Sequence, residues 1–219
     1  METHDNRCRH LSQAGECAVL SVDYRRAPES TFPAALEDAY TATNWVAADG
    51  DESCLDTVPI AIGGGSAGRN LAATTLMTDD HGGPGLAHRS LAYPAVSSPA
   101  VHAFDSREKN ADGYFLETQA MELFVDCYVD DDIDRRNEYF APLLARDRSE
   151  TPPATVLTAG FDPLREGVTY AGRLADAGVL VEHYSEDLIH GFLGMVETIP
   201  PAAEVMEAVG DDLQAAFAA

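Results

Sequence analysis

The residues Val58-Pro59-Ile60-Ala61-Ile62-Gly63-Gly64-Gly65-Ser66-Ala67-Gly68-Arg69-Asn70-Leu71-Ala72-Ala73 decide how the chain is read. An apolar run stops in three glycines, presents one serine, and continues into residues that favour helix. Gly64, Ser66 and Gly68 have the Gly-x-Ser-x-Gly spacing of a nucleophile elbow, with Gly65 as the extra small residue before the serine. In such an elbow small neighbours let the backbone fold back on itself and leave the hydroxyl exposed on a strained strand-to-helix turn. The helix predicted from Ser66 to Met77 would aim its free N–H groups at negative charge building near Ser66, with the Ala67 N–H as the nearest donor.

The same glycines allow a second reading, because Gly63, Gly65 and Gly68 also satisfy G-x-G-x-x-G between a strand and a helix. A dinucleotide loop would need an acidic residue at the end of the next strand, about 20 residues on, to hold the ribose. The next strand-like run, Ser90 to Val96, ends instead in Ser97-Ser98-Pro99, and Asp79-Asp80 fall earlier, in a Gly-rich turn. No lysine follows the glycines, as a phosphate-binding loop would require. The expectation is therefore a chain without a cofactor.

The chain has 219 residues, of which 45% are hydrophobic, enough for one domain with a real core. Its net charge is -23, with 37 acidic against 14 basic residues, and Lys109 is the only lysine. Nucleic acid and anionic membranes are poor partners for such a surface. The carboxylates are spread along the chain, with a tight run only at Asp130-Asp131-Asp132, so they read as a solvated surface rather than a binding face. Self-repulsion of this size is relieved by screening, which points to a high-salt cytoplasm. Cys8, Cys17, Cys54 and Cys127 have neither CxxC pairing nor His partners at zinc spacing, so no metal site is expected. The polar stretch Met1 to His10 lacks an apolar signal segment, no run approaches membrane-spanning length, and the expected location is the cytoplasm.

Strand-like runs recur at Cys17 to Tyr24, Val58 to Gly63, Ser90 to Val96, Ala154 to Ala159 and Val179 to Tyr184. Helical stretches lie between them: Pro33 to Val46 behind a candidate cap at Thr31, Ser66 to Met77, Glu117 to Val129, Arg165 to Ala177 closed by Gly178, and Pro201 to Phe217. This alternation predicts an α/β fold, a mostly parallel sheet with helices on both faces. Residues 1–219 read as a single domain, with 97–148 as a partial lid over the strand ends.

In open α/β sheets, chemistry collects at the carboxyl ends of the strands, and three candidates fall there in the order Ser66, Asp162, His190. His190 would take the Ser66 proton as general base, while Asp162 fixes the imidazole tautomer and stabilises the imidazolium. Each has a plainer alternative: Ser66 as a helix N-cap, Asp162 as the cap of the helix behind Pro163, His190 as an ordinary loop histidine. Three successive β-α junctions in the order a hydrolase uses favour the catalytic reading of the set.

Further motifs agree: Asp23-Tyr24-Arg25-Arg26-Ala27-Pro28-Glu29 with Phe32-Pro33-Ala34-Ala35-Leu36-Glu37-Asp38, then Tyr93-Pro94, Asp112-Gly113-Tyr114-Phe115-Leu116, Tyr139-Phe140-Ala141-Pro142-Leu143, Gly160-Phe161-Asp162-Pro163-Leu164-Arg165 and His190-Gly191-Phe192. On these the chain resembles the hormone-sensitive-lipase-like family of α/β-hydrolase carboxylesterases. The resemblance implies an α/β-hydrolase fold and hydrolysis of small esters through a Ser66–His190–Asp162 triad. It also implies an acyl pocket roofed by residues 112–129 and self-pairing through the sheet edge at Val179 to Tyr184 as an option.

Three departures and one absence stand out. The family elbow is usually G-D-S-A-G-G-N, whereas Gly65 precedes the serine here, predicting a looser turn, and Arg69 stands where a glycine is usual. The family's D-P-L-x-D-E-G is one residue shorter, Asp162-Pro163-Leu164-Arg165-Glu166-Gly167, which predicts a shifted acid. The family's H-G-G-G loop, whose N–H groups form most of the oxyanion hole, is not among these 219 residues, nor are the family's first three strands and N-terminal cap helices. The third family strand lies between those that Cys17 to Tyr24 and Val58 to Gly63 would form, so these two either pair directly or leave a gap. The alternative that follows is a catalytically impaired remnant or binding protein with an incomplete oxyanion hole.

Overall fold

The structure is a computed structural model that describes residues 2–68, 81–98, 101–131, 134–146, 149 and 151–219. Four strands form one parallel sheet in the order β1-β2-β3-β4: β1 Ala61–Gly65, β2 His88–Ala92, β3 Ala154–Phe161 and β4 Val181–Ile189. Six α-helices accompany them among the described residues: α1 Glu2–Ala14, α2 Ala34–Asp49, α3 Ser106–Lys109, α4 Thr118–Tyr128, α5 Glu166–Asp176 and α6 Pro200–Phe217.

β3 is the strand around which the core is organised, since ladders on both edges and helices on both faces leave it no solvent side. That is why its buried residues 154–159 are apolar apart from Thr155 and Thr158. Leu157 and Ala159 pack on one face with Phe192, Val205, Met206, Val209 and Leu213, the buried side of α6. Ala154 and Val156 face the other way, against Leu91, Leu143 and the Tyr170, Ala171 and Leu174 stripe of α5. Leu11 and Ala14 of α1 join the first cluster. There a Cβ on Gly210 would lie 2.5 Å from the Ala14 carbonyl carbon, so only glycine allows α1 to cross α6 so closely.

The end of α5 has a physical cause visible in sequence. Gly178 takes φ +86, the Val179 N–H returns to the Leu174 carbonyl and the Gly178 N–H to that of Ala175, the paired bonds of a Schellman closure.

Several expectations are corrected. Cys17 to Tyr24 is not a strand: it forms no ladder with β1, and Leu20 and Val22 are 53% and 37% exposed. An extended apolar stretch becomes a strand only where a neighbour offers backbone partners. Thr31 does not cap α2; its hydroxyl donates to Asp130, and Pro33 holds the cap position without a side-chain bond. β2 starts two residues before the apolar run, because His88 and Arg89 are buried with partners: His88 against the Thr155 hydroxyl, Arg89 on Thr151 and Tyr170. β4 absorbs the acidic stretch read as a loop, so His190 follows the strand directly. Helix α1 was not anticipated from the polar start of the chain. Most of the predicted Ser66–Met77 helix, with Arg69, lies outside the described residues.

Candidate active site

The elbow begins where β1 ends. Ser66 opens a single 3-10 turn, Ser66–Gly68, and sits at φ +59, a left-handed conformation that costs a non-glycine residue on the order of 1–3 kcal/mol and must be held by its surroundings. The Ser66 carbonyl accepts the Ala95 N–H at 3.3 Å, tying the turn to the segment behind β2.

Gly65, expected to loosen this turn, lies directly against an aromatic ring. A Cβ at position 65 would stand 2.9 Å from Cε2 of Tyr93, so the ring occupies the space a side chain would need. Tyr93 is buried, has φ +39, and tilts its ring against the His190 imidazole at a centroid distance of 4.7 Å. Phe192 also packs on that ring, edge-on, at a centroid distance of 5.5 Å. Burial pushes the Tyr93 phenol up to about 12, against a smaller lowering influence of Arg7, so it stays protonated at neutral pH and acts as a wall.

Ser66, His190 and Asp162, from the ends of β1, β4 and β3, meet in one line. His190 Nε2 lies 2.9 Å from Ser66 Oγ, and His190 Nδ1 lies 2.6 Å from Asp162 Oδ2. The Asp162 side chain is wholly buried and that of His190 nearly so. The other Asp162 oxygen, Oδ1, accepts the Leu164 N–H at 2.8 Å, an Asx-type turn contact, so each carboxylate oxygen has its own partner. The cap position of α5 itself belongs to Arg165. The shorter acid loop has not moved Asp162 out of reach of His190.

Near this line, Phe115 and the stacked pair Tyr114 and Phe161, with centroids 5.1 Å apart, form an aromatic rim. Phe115 approaches Gly191, the residue after the histidine, and so does Arg7, whose guanidinium reaches the Gly191 carbonyl at 3.4 Å. Sequence reasoning missed Tyr93 as a neighbour of His190 and Arg7 as a neighbour of the histidine loop. Tyr93-Pro94 was visible only as a motif, and nothing along the chain links residue 93 to residue 190. Among the described residues no group of three or more His, Cys, Asp or Glu side chains could hold a metal ion.

A parallel sheet that sets a serine on a left-handed turn, with an acid and a histidine behind the last two strands, has the architecture of the α/β hydrolases. Residues 1–194 match the family model described as alpha/beta hydrolase fold. The chain is 39% identical over 208 residues to esterase LipI of Mycobacterium tuberculosis, covering 93% of this chain and 64% of that one. It is also 39% identical to an arylesterase of Saccharolobus solfataricus, covering 90% and 65%. Among solved structures, a thermostable esterase from Pseudomonas putida superposes with a TM-score of 0.92 at 35% identity, covering 99% of this chain and 69% of that one. The chain belongs to the α/β-hydrolase family, in its hormone-sensitive-lipase-like branch. It spans slightly less than two thirds of the length of these two curated relatives.

Proposed function

We propose that the protein is a carboxylic ester hydrolase for short-chain esters, working through Ser66, His190 and Asp162. The observation that carries this reading is the continuous line from Ser66 Oγ through both imidazole nitrogens to the buried Asp162 carboxylate. Ser66 Oγ attacks the ester carbonyl while His190 Nε2 takes its proton. The Asp162 carboxylate faces the imidazolium so formed and stabilises it. The negative oxygen of the tetrahedral intermediate is received by the Ala67 N–H, between the elbow glycines Gly64, Gly65 and Gly68. As the intermediate collapses, the C–O bond to the alcohol breaks and His190 returns the proton to the leaving oxygen. Water, deprotonated by His190, then attacks the Ser66 ester, and the acid leaves as the serine regains its proton.

The aromatic rim of Tyr114, Phe115 and Phe161 supports a small apolar acyl or alcohol group, with residues 97–148 acting as a partial lid on the single domain. The names of the relatives, esterases and an ethyl acetate hydrolase of Pseudomonas putida among them, favour hydrolysis over the remnant or binding-protein alternative. No described helix is long and apolar enough to cross a membrane. Together with the acidic composition this supports a cytoplasmic protein adapted to high salt, and β4, at the sheet edge, supports self-pairing. No cofactor enters the scheme.

The test is hydrolysis of p-nitrophenyl acetate and butyrate with Ser66→Ala as the control. Turnover above that control is expected, and turnover equal to it would remove the reading. A melting temperature that fails to rise between dilute buffer and molar salt would remove the high-salt adaptation.

A further inference from the structure

The acid of the candidate triad sits in a loop one residue shorter than the usual family pattern, yet its carboxylate meets His190 at 2.6 Å. What fixes it comes from outside the loop. Helix α3 and the residue that ends it lie against Gly160–Glu166 and engage it at four points. The Ser106 hydroxyl donates to the Pro163 carbonyl at 2.8 Å. Arg107 Nη2 donates to Glu166 Oε1 at 3.0 Å. The Asn110 amide donates twice, to the Gly160 carbonyl at 3.2 Å and the Asp162 carbonyl at 3.0 Å. Both Asn110 acceptors are carbonyls, so only its NH2 group can face them and the amide orientation is settled by chemistry.

Helix α3 is itself anchored. The Thr118 hydroxyl, on the first residue of α4, donates to the Arg107 carbonyl at 2.7 Å, and the Thr118 N–H donates to the Ala111 carbonyl. Glu166, wholly buried, binds the loop's far end to Arg107. The backbone of Asp162 is thus held by Asn110 while its side chain spans Leu164 and His190. A carbonyl pinned on one side and a carboxylate oxygen bound to a backbone N–H on the other leave the remaining oxygen a single direction.

We propose that Asn110 is a positioning residue of the triad, acting through the Asp162 backbone to aim the carboxylate at His190 Nδ1, with Ser106 and the Arg107–Glu166 pair as the outer part of the same clamp. The catalytic consequence rests on the ester-hydrolase reading above, whereas the geometric one does not. Losing the two amide bonds lets the loop turn, and displacement of a supporting group by about an ångström is worth up to about 10²-fold in rate.

The experiment compares the full chain with Asn110→Ala, with Asn110→Leu, which fills similar space without a donor, and with Lys109→Ala. Lys109 lies exposed on the same turn, bonded to Asp105. The first readout is the downfield proton NMR signal of His190 Nδ1–H, which reports its bond to Asp162 without any turnover. The second is kcat and KM for p-nitrophenyl butyrate. Both Asn110 variants are expected to move or broaden the signal and to lower kcat about tenfold with KM within twofold, while Lys109→Ala matches the parent. An unchanged signal in a folded Asn110→Leu protein overturns the proposal, as does a lowered melting temperature with unchanged kcat. If the parent itself gives no turnover above Ser66→Ala, the ester-hydrolase reading fails and the signal comparison still decides the positioning role.

Discussion

The candidate acid, Asp162, and the candidate nucleophile, Ser66, reach the same site from very different surroundings. β3, which carries Asp162, is paired on both edges and buried until its last two residues, and its loop is clamped by α3. Among the described residues β1, which leads into Ser66, pairs with β2 alone and is partly exposed except at Ile62. Asp162 is held by a hydrogen-bond network. Ser66 is held by a left-handed backbone, one bond from the Ala95 N–H, and an aromatic ring packed where Gly65 has no side chain. The lesson is that a turn wedged by packing can bring a serine to the candidate site as closely as a hydrogen-bonded loop brings the carboxylate.

The largest expected effect comes from breaking the acid side at its chemistry. Asp162→Asn keeps the shape but offers His190 Nδ1 an amide, favouring the wrong tautomer, and should lower kcat by about 10⁴-fold with a folded protein by circular dichroism.

Next comes the clamp's outer pair. Arg107→Ala leaves Glu166 buried without its cation and should cost about 3–5 kcal/mol in denaturant unfolding. Burial already raises the Glu166 carboxyl above its ordinary value, with Arg107 pulling the other way. A carboxyl raised on folding contributes its stability below the unfolded value of 4.5, and that contribution is lost as pH rises through the folded value. Removing Arg107 raises it further, so the destabilisation should be smallest near pH 4 and grow toward pH 8. A loss that is flat with pH would mean that Glu166 is not the group responsible.

On the nucleophile side the wedge is the target. Gly65→Ala places a Cβ against Tyr93 and, through that ring, against His190. Overpacking of this kind should cost about 1–3 kcal/mol and reduce kcat, whereas a loose turn would accept the methyl without loss. The smallest effect is expected for Tyr93→Phe. The ring, not the hydroxyl, packs on His190, and a phenol pushed up to about 12 takes no part in proton transfer near neutrality. Stability should stay within about 1 kcal/mol and the pH–rate profile should keep its shape.

Much of this was legible along the chain. β1, β2, β3, β4, α2, α4, α5 and α6 fall within a few residues of their expected places, because apolar period and helix-ending glycine are local signals. The order Ser66, Asp162, His190 was equally legible, since each follows a strand. Cys17 to Tyr24 misled because its apolar pattern says what the stretch could do beside a partner strand, and no ladder forms there. His88 and Arg89 misled in the opposite direction, being polar residues inside a strand whose partners, Thr151, Thr155 and Tyr170, are more than sixty residues away.

The sequence by itself determined the α/β architecture, the Gly-rich turn at Ser66 and which three side chains are the candidates for the site, because those depend on periodicity and on residues adjacent to turns. Only the tertiary structure decided how they are held: that Gly65 makes room for Tyr93, that the shortened acid loop is gripped by Asn110, and that Glu166 finds Arg107 in the interior. Those contacts join residues 28 to 59 positions apart, and a chain's local preferences carry no record of which distant groups its packing will bring within a few ångströms.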